Sequence, residues 1–174
     1  MIDLGVHVLD ACLHLLGEFE AVSVSAQTYA KFGPRGTGEM DWGKSEVNPA
    51  KPFDVEDYGV ALIKLKSGRT VLLETSWAAF HPNDERERGL DLLGTNAGLS
   101  LYPARLHRNG PLGQETIQLA PSNGALPQDR VHHFVDCVLH GAKPLVPLSE
   151  SLAVQKILDG IQASAQMGKE VRLR

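Results

Sequence analysis

The chain has 174 residues, 43% of them hydrophobic and 22% charged, with a formal net charge of −4. That balance fits one soluble globular domain able to bury a core without staples. It carries no basic surplus of the kind that marks a nucleic-acid or anionic-membrane partner, and no stretch approaches the roughly 18 uncharged residues of a membrane span. Cys12 and Cys137 each lie within an apolar helical pattern, where a thiol behaves as a small hydrophobe, so a reducing, cytoplasmic compartment is expected. The apolar start is not read as a secretion signal, because no Lys or Arg precedes it and Asp3 and Asp10 fall inside it.

The first predicted element is a helix over residues 3–16, stopped by Gly17. Stripped of its apolar letters it leaves Asp3, His7, Asp10 and His14, plus one glycine. At helical pitch these four fall at about 0°, 40°, −20° and 20°, a polar sector only about 60° wide. Residues 21–29, AVSVSAQTY, alternate as a strand with one wet face. The stretch from 31 to 54 is rich in Gly, Pro and charge and has no periodicity; it is too long for a simple connector. DYGVALIKLK, Ser67 and Gly68, then RTVLLETSWAA read as a β-hairpin with a tight turn. Val60 and Leu62 point one way and Ala61, Ile63 and Leu65 the other, so both faces of this sheet need cover. Helices are expected on one face and a partner subunit on the other.

Short strands are predicted at 88–95, 98–103, 104–109 and 115–120, punctuated by Gly, Pro and Asn. The run DRVHHFVDCVLHG puts Val131, Phe134, Val135, Val138 and Leu139 on one helical face and ends at Gly141. A last helix is expected from Ser149 as N-cap, with Leu152, Ile157, Leu158, Ile161 and Ala165 as its core stripe, ending before Gly168. VRLR closes as a short strand. Helix, hairpin-linked strands and two helices, without regular βαβ alternation, define an α+β fold: a largely antiparallel open β-sheet with helices packed on one face.

The plain reading of the helical stripe is a solvated edge. Such edges normally use Lys, Glu or Gln, whereas this one uses only short acids and imidazoles. Histidine gives or takes a proton near neutral pH, and Asp3 and His7 have the i, i+4 spacing that lets a carboxylate orient an imidazole, an acid/base arrangement. A metal site on Asp3, His7 and Asp10 is an alternative, since both ligand types suit Zn or Mn. His14 is read as a helix-end histidine satisfied by the last turn's carbonyls. Trp77 is read as core or interface, and Phe80 and His81 as loop residues within reach of a substrate. Trp42 is left open between a pocket cap and a subunit contact, and His132 and His133 are read as an exposed helix face.

The stretch D-L-G-V-H-V-L-D, Asp3 to Asp10, resembles the D-x-G-x-H-x-x-D helix of the Gfo/Idh/MocA oxidoreductases, the family of glucose-fructose oxidoreductase and inositol 2-dehydrogenase. EDYGVALIKLKSGRTVLLETSW is similar to that family's hairpin, LLGTNAGLSL to its glycine turn, and the segment from His132 to Arg174 to its closing helices and strand. The resemblance implies the C-terminal substrate-binding and oligomerisation domain, residues 1–174, of an NAD(P)-dependent dehydrogenase acting on a sugar, cyclitol or related polyol. It implies His7 as proton acceptor or donor for the substrate hydroxyl, Asp3 binding or orienting substrate beside it, and Asp10 as a further substrate-side group of the same motif; His81 is expected as a substrate contact from its place in the loop after Trp77 alone.

No strand-G-x-G-x-x-G-helix unit occurs, and GPRGTG, with its internal proline, reads as loop. The expectation is therefore a C-terminal half whose Rossmann half is missing. NAD or NADP is expected in the full-length enzyme, and this chain alone is expected neither to bind it tightly nor to turn over. No residue here is assigned to cofactor or metal. A homo-oligomer through the sheet face is expected. The rival from another class is a non-catalytic oligomerisation module.

Overall fold

A computed structural model describes residues 1–35, 52–77, 79, 89–120 and 129–173. The chain divides into two compact units, residues 1–81 with 146–174, and residues 82–145.

The first unit is built on a four-stranded antiparallel sheet in the order β3-β2-β1-β8, with β1 at Ala21–Tyr29, β2 at Tyr58–Leu65, β3 at Thr70–Ser76 and β8 at Val171–Arg172. Two helices pack on one face of this sheet, α1 (Gly5–Leu16) against β3 and α3 (Leu148–Met167) against β1. The alternation in β2 decides which side is buried. Ala61, Ile63 and Leu65 point under the helices and, with Val24, Val71 and Leu73, meet Leu9 and Leu13 of α1 and Val154, Ile157, Leu158 and Ile161 of α3 in one core. The opposite face keeps Leu62 and Leu72 exposed.

The β2–β3 turn uses Gly68 at φ 89°, the positive backbone angle foreseen from the sequence. Glu18, just past α1, clamps this turn: its carboxylate accepts from the Ser67 N–H at 2.8 Å and from Arg69 Nη1 at 3.3 Å. Arg69 also donates to the Leu16 carbonyl at 3.1 Å, which ties the end of the helix to the hairpin.

In α3 the structure corrects two details. The helix begins at Leu148 behind Pro147, whose carbonyl accepts from the Glu150 N–H at 3.0 Å, and no side chain caps it, so Ser149 is not the N-cap. Proline's fixed φ, here −65°, sets the entry angle without a cap hydroxyl. Leu152 is 60% exposed while Val154 takes its place in the core. The helical wheel explains the exchange, since position 152 lies about 180° from Ile161 and position 154 only about 20° from it.

The second unit contains an antiparallel meander of β4 (Leu90–Leu93), β5 (Ala97–Leu101), β6 (Arg105–Gly110) and β7 (Gly113–Gln118) in that order. Its register lines up Leu90 with Leu101, Leu92 with Leu99, Leu99 with Leu106 and Leu106 with Ile117, which makes one face apolar. The same unit holds α2 (Arg130–His140), capped by Asp129, whose carboxylate accepts from the Val131 N–H at 2.7 Å. Its predicted apolar face of Val131, Phe134, Val135, Val138 and Leu139 is exposed. The fold is α+β and antiparallel as expected, but the strands form two four-stranded sheets rather than one.

Candidate functional site

The opening helix starts at Gly5, two residues later than the periodicity suggests, so Asp3 lies in the turn that leads into it. Gly5 packs where a Cβ would meet Thr75 Cγ2 at 3.3 Å, so the start of α1 is pressed against β3. The lead-in is also held by Glu56, which accepts from the Ile2 N–H at 3.3 Å. This anchoring leaves Asp3, His7 and His14 exposed and Asp10 half-buried, while Leu9, Cys12 and Leu13 are in the core.

Asp3 and His7 are thus close in sequence at one helix entrance, yet neither side chain makes a hydrogen bond or ion pair with a described residue, and the same holds for Asp10 and His14. The imidazole of His7 is free to meet a hydroxyl, and the carboxylate of Asp3 is free to accept one. His14 does not bond the last-turn carbonyls. Those of Leu13 and His14 are taken by the Glu18 and Gly17 N–H groups, both at 3.1 Å, and that of Leu16 by Arg69. Among the described residues no three His, Cys, Asp or Glu side chains gather closely enough to hold a metal ion, the Asp3, His7 and Asp10 stripe included.

One acid escaped the reading of the sequence. Asp57, at the start of β2, is 1% exposed, and its Oδ2 accepts from the N–H groups of Phe32 at 2.6 Å and Gly33 at 2.9 Å. Its backbone ties the start of β2 to the ends of both neighbouring strands: the N–H donates to Tyr29 at 2.9 Å, and the carbonyl accepts from Ser76 Oγ at 2.7 Å and from the Trp77 N–H at 3.4 Å. Oδ1 has no partner. An acid at the edge of an apolar strand pattern gives no periodic signal by which to find such a hub.

The same bonds test the fit of a dinucleotide. Gly33–Arg35, the start of GPRGTG, form a short 3-10 helix whose leading N–H groups are spent on the Asp57 carboxylate, and the Phe53 ring fills the space a Cβ on Gly33 would need. These are not N–H groups presented to a pyrophosphate.

Trp77 is half-buried, with its indole N–H donating to the Glu56 carbonyl at 3.3 Å and its ring 6.1 Å from that of Phe53. Trp42, Phe80 and His81 lie outside the described residues. His132 is solvent-facing and bonded to Asp129, but His133 is not part of an exposed face. Its Nε2 accepts from the Leu145 N–H at 3.0 Å, because the chain folds back along α2 after Gly141. Cys12 and Cys137 are free, and burial pushes the Cys12 thiol up from its usual range. No helix among the described residues is long and apolar enough to cross a membrane.

The family model described as GFO/IDH/MocA C-terminal domain matches residues 1–100, more than half of the chain. The chain belongs to the Gfo/Idh/MocA oxidoreductase family. It is 26% identical to the D-glucoside 3-dehydrogenase of Escherichia coli K12 over 177 residues, covering 99% of this chain and 48% of that protein. Levoglucosan dehydrogenase in complex with NADH superposes with a TM-score of 0.70 at 19% identity, over 99% of this chain and 49% of its own. The aldose-aldose oxidoreductase from Caulobacter crescentus, complexed with glycerol, gives 0.67 at 19% identity, over 98% and 46%. These two likenesses establish a common fold. The chain spans about half the length of the curated relative it matches.

Proposed function

We propose that this chain is the substrate-binding and oligomer-forming domain of an NAD(P)-dependent oxidoreductase acting on a sugar, cyclitol or related polyol. The observation that carries the proposal is the placement of His7: an unengaged imidazole on the exposed side of the first helical turn, with the Asp3 carboxylate in the turn before it. Family membership and the sugar-oxidising relatives support the same reading.

In this reading His7 takes the proton from a substrate hydroxyl during oxidation and returns it during reduction. Asp3 accepts a hydrogen bond from the substrate and favours the charged imidazole. Asp10, one helical turn beyond His7, and His81 complete the substrate contacts. NAD or NADP, held by another part of the full-length enzyme, supplies the hydride chemistry, and this chain contributes proton handling and positioning. Turnover therefore requires the nucleotide-binding half.

The face of the first sheet that α1 and α3 leave open, with Leu62 and Leu72 exposed, favours a second copy as its partner. A module that only oligomerises would share that face but would not need His7. The deciding experiment joins this chain to the nucleotide-binding half of the Escherichia coli D-glucoside 3-dehydrogenase and measures NAD(P)-dependent oxidation of glucosides and polyols. Activity that falls by about 10²- to 10⁴-fold in His7→Ala, with the fold retained, supports the proposal. Equal activity in that variant removes His7 as the base.

A further inference from the structure

The second unit carries a row of hydrogen-bonding side chains that the proposed activity does not use. On the polar face of its sheet, Ser100 Oγ lies 2.9 Å from His107 Nε2, and His107 Nδ1 lies 3.0 Å from Thr116 Oγ1, so three strands are bridged through one imidazole. The ring is half-buried and both of its nitrogens are engaged, which fixes its orientation. Asp91, Leu93, Ser100, His107, Asn109 and Gln114 line a concavity of about 530 Å³ over this face, within the usual range for small-ligand pockets.

We propose that this concavity, lined only by residues of the second unit, is a binding site for a neutral, hydroxyl-rich ligand of the sugar or polyol class. The chemistry of the row selects the ligand. A neutral imidazole donates from one nitrogen and accepts at the other, so one flanking hydroxyl donates to the ring and the other accepts from it. The first keeps free lone pairs and the second keeps a free O–H, in either tautomer. The row therefore presents one acceptor and one donor, the complement of a hydroxyl group, which is both.

The surroundings agree. The side chains of Asp91, Asn109 and Gln114 make no hydrogen bond with another described residue and add further donors and acceptors. Leu93, 95% exposed at the rim, offers an apolar edge to a C–H face. An anion is disfavoured because Arg105, the one Arg or Lys of the meander strands on this face, already donates to Gln118 at 3.2 Å, while Arg108 points to the opposite face and pairs there with Glu115 at 2.6 Å. Catalysis by Ser100 is not implied. Its strand is paired on both sides, which leaves no pair of backbone N–H groups to receive an oxyanion.

The test is an amide-resolved NMR titration of the 174-residue chain with D-glucose, run beside a titration with inorganic phosphate. Saturable shifts at Asp91, Ser100, His107 and Asn109 are expected with glucose and not with phosphate. The double substitution of two exposed side chains, Asn109→Ala with Gln114→Ala, should raise the Kd by about tenfold or more while the remaining resonances report an intact fold. Absence of saturable shifts at these residues, an unchanged Kd in the double variant, or competition by phosphate would each overturn the inference. Glucose shifts confined to residues 3–14 would also overturn it, and would leave the role proposed for His7 standing.

Discussion

Leu62 of β2 and Leu72 of β3 sit directly opposite each other in the antiparallel ladder, 41% and 71% exposed, on the side of the sheet that neither α1 nor α3 covers. In the function proposed above, this cross-strand leucine pair is the apolar surface that a second copy buries. The chain is expected to self-associate in sedimentation velocity runs, and Leu62→Glu with Leu72→Glu to yield monomers with unchanged far-ultraviolet circular dichroism. A monomeric parent chain at every concentration would contradict this.

Asp57 gives a prediction about stability that depends on which oxygen matters. Asp57→Ala leaves the Phe32 and Gly33 N–H groups without their acceptor and should cost about 2–4 kcal/mol in urea unfolding. Asp57→Asn keeps one accepting oxygen and removes a buried charge whose Oδ1 has no donor among the described residues, so it should remain within about 1 kcal/mol of the parent. Equal losses for the two variants would show that the charge itself is required.

Ser164 of α3, fully buried, accepts from the Ala26 N–H at 2.9 Å and donates to the Lys169 carbonyl at 2.7 Å. Strand β8 pairs only with Ser23 and Val24, so Ala26 lies beyond its reach and draws its acceptor from the helix instead. Ser164→Ala strands both backbone groups and should cost about 1–3 kcal/mol. Amide hydrogen exchange at Ala26 should quicken in the variant beyond the change at Val24.

The acid limb of stability should respond to Glu18 and Glu170. Hydrogen bonds from Ser67, then the charge of Arg69, hold the Glu18 carboxyl below its ordinary 4.5, and Ser23 and Lys64 do the same for Glu170. A carboxyl lowered by folding binds fewer protons than its unfolded counterpart, so its contribution is complete above the unfolded value and fades as pH falls through the lowered one. Thermal midpoints should therefore drop below about pH 4.5, and Glu18→Gln should flatten that drop. A variant with the parent's pH profile would remove Glu18 from this account.

What the sequence disclosed follows from periodicity. The buried trio Ala61, Ile63 and Leu65 was readable from a period of two, the stop at Gly17 from its glycine, and the Ser67-Gly68 turn from its residue types. The family resemblance carried by Asp3 to Asp10 is matched by the family model over residues 1–100. Long-range polar contacts were not readable. The partners of Asp57 lie 24 and 25 residues away, and the Ala26–Ser164 bond spans 138. His14 and Ser149 were misread for a related cause, since backbone N–H groups and a proline perform the capping their side chains were expected to do.

The first unit is discontinuous, with residues 146–174 returning to it after the second unit has been traversed. Until that returning segment is synthesised, β1 lacks both its neighbour β8 and its covering helix α3, while Val24, Ile63 and Leu65 have only part of their shelter. On the ribosome the meander is complete in the emerging polypeptide before the unit that precedes it can close. Premature termination inside α3 should accordingly release a species whose sheet is covered by α1 alone, prone to aggregation and a ready client for chaperones.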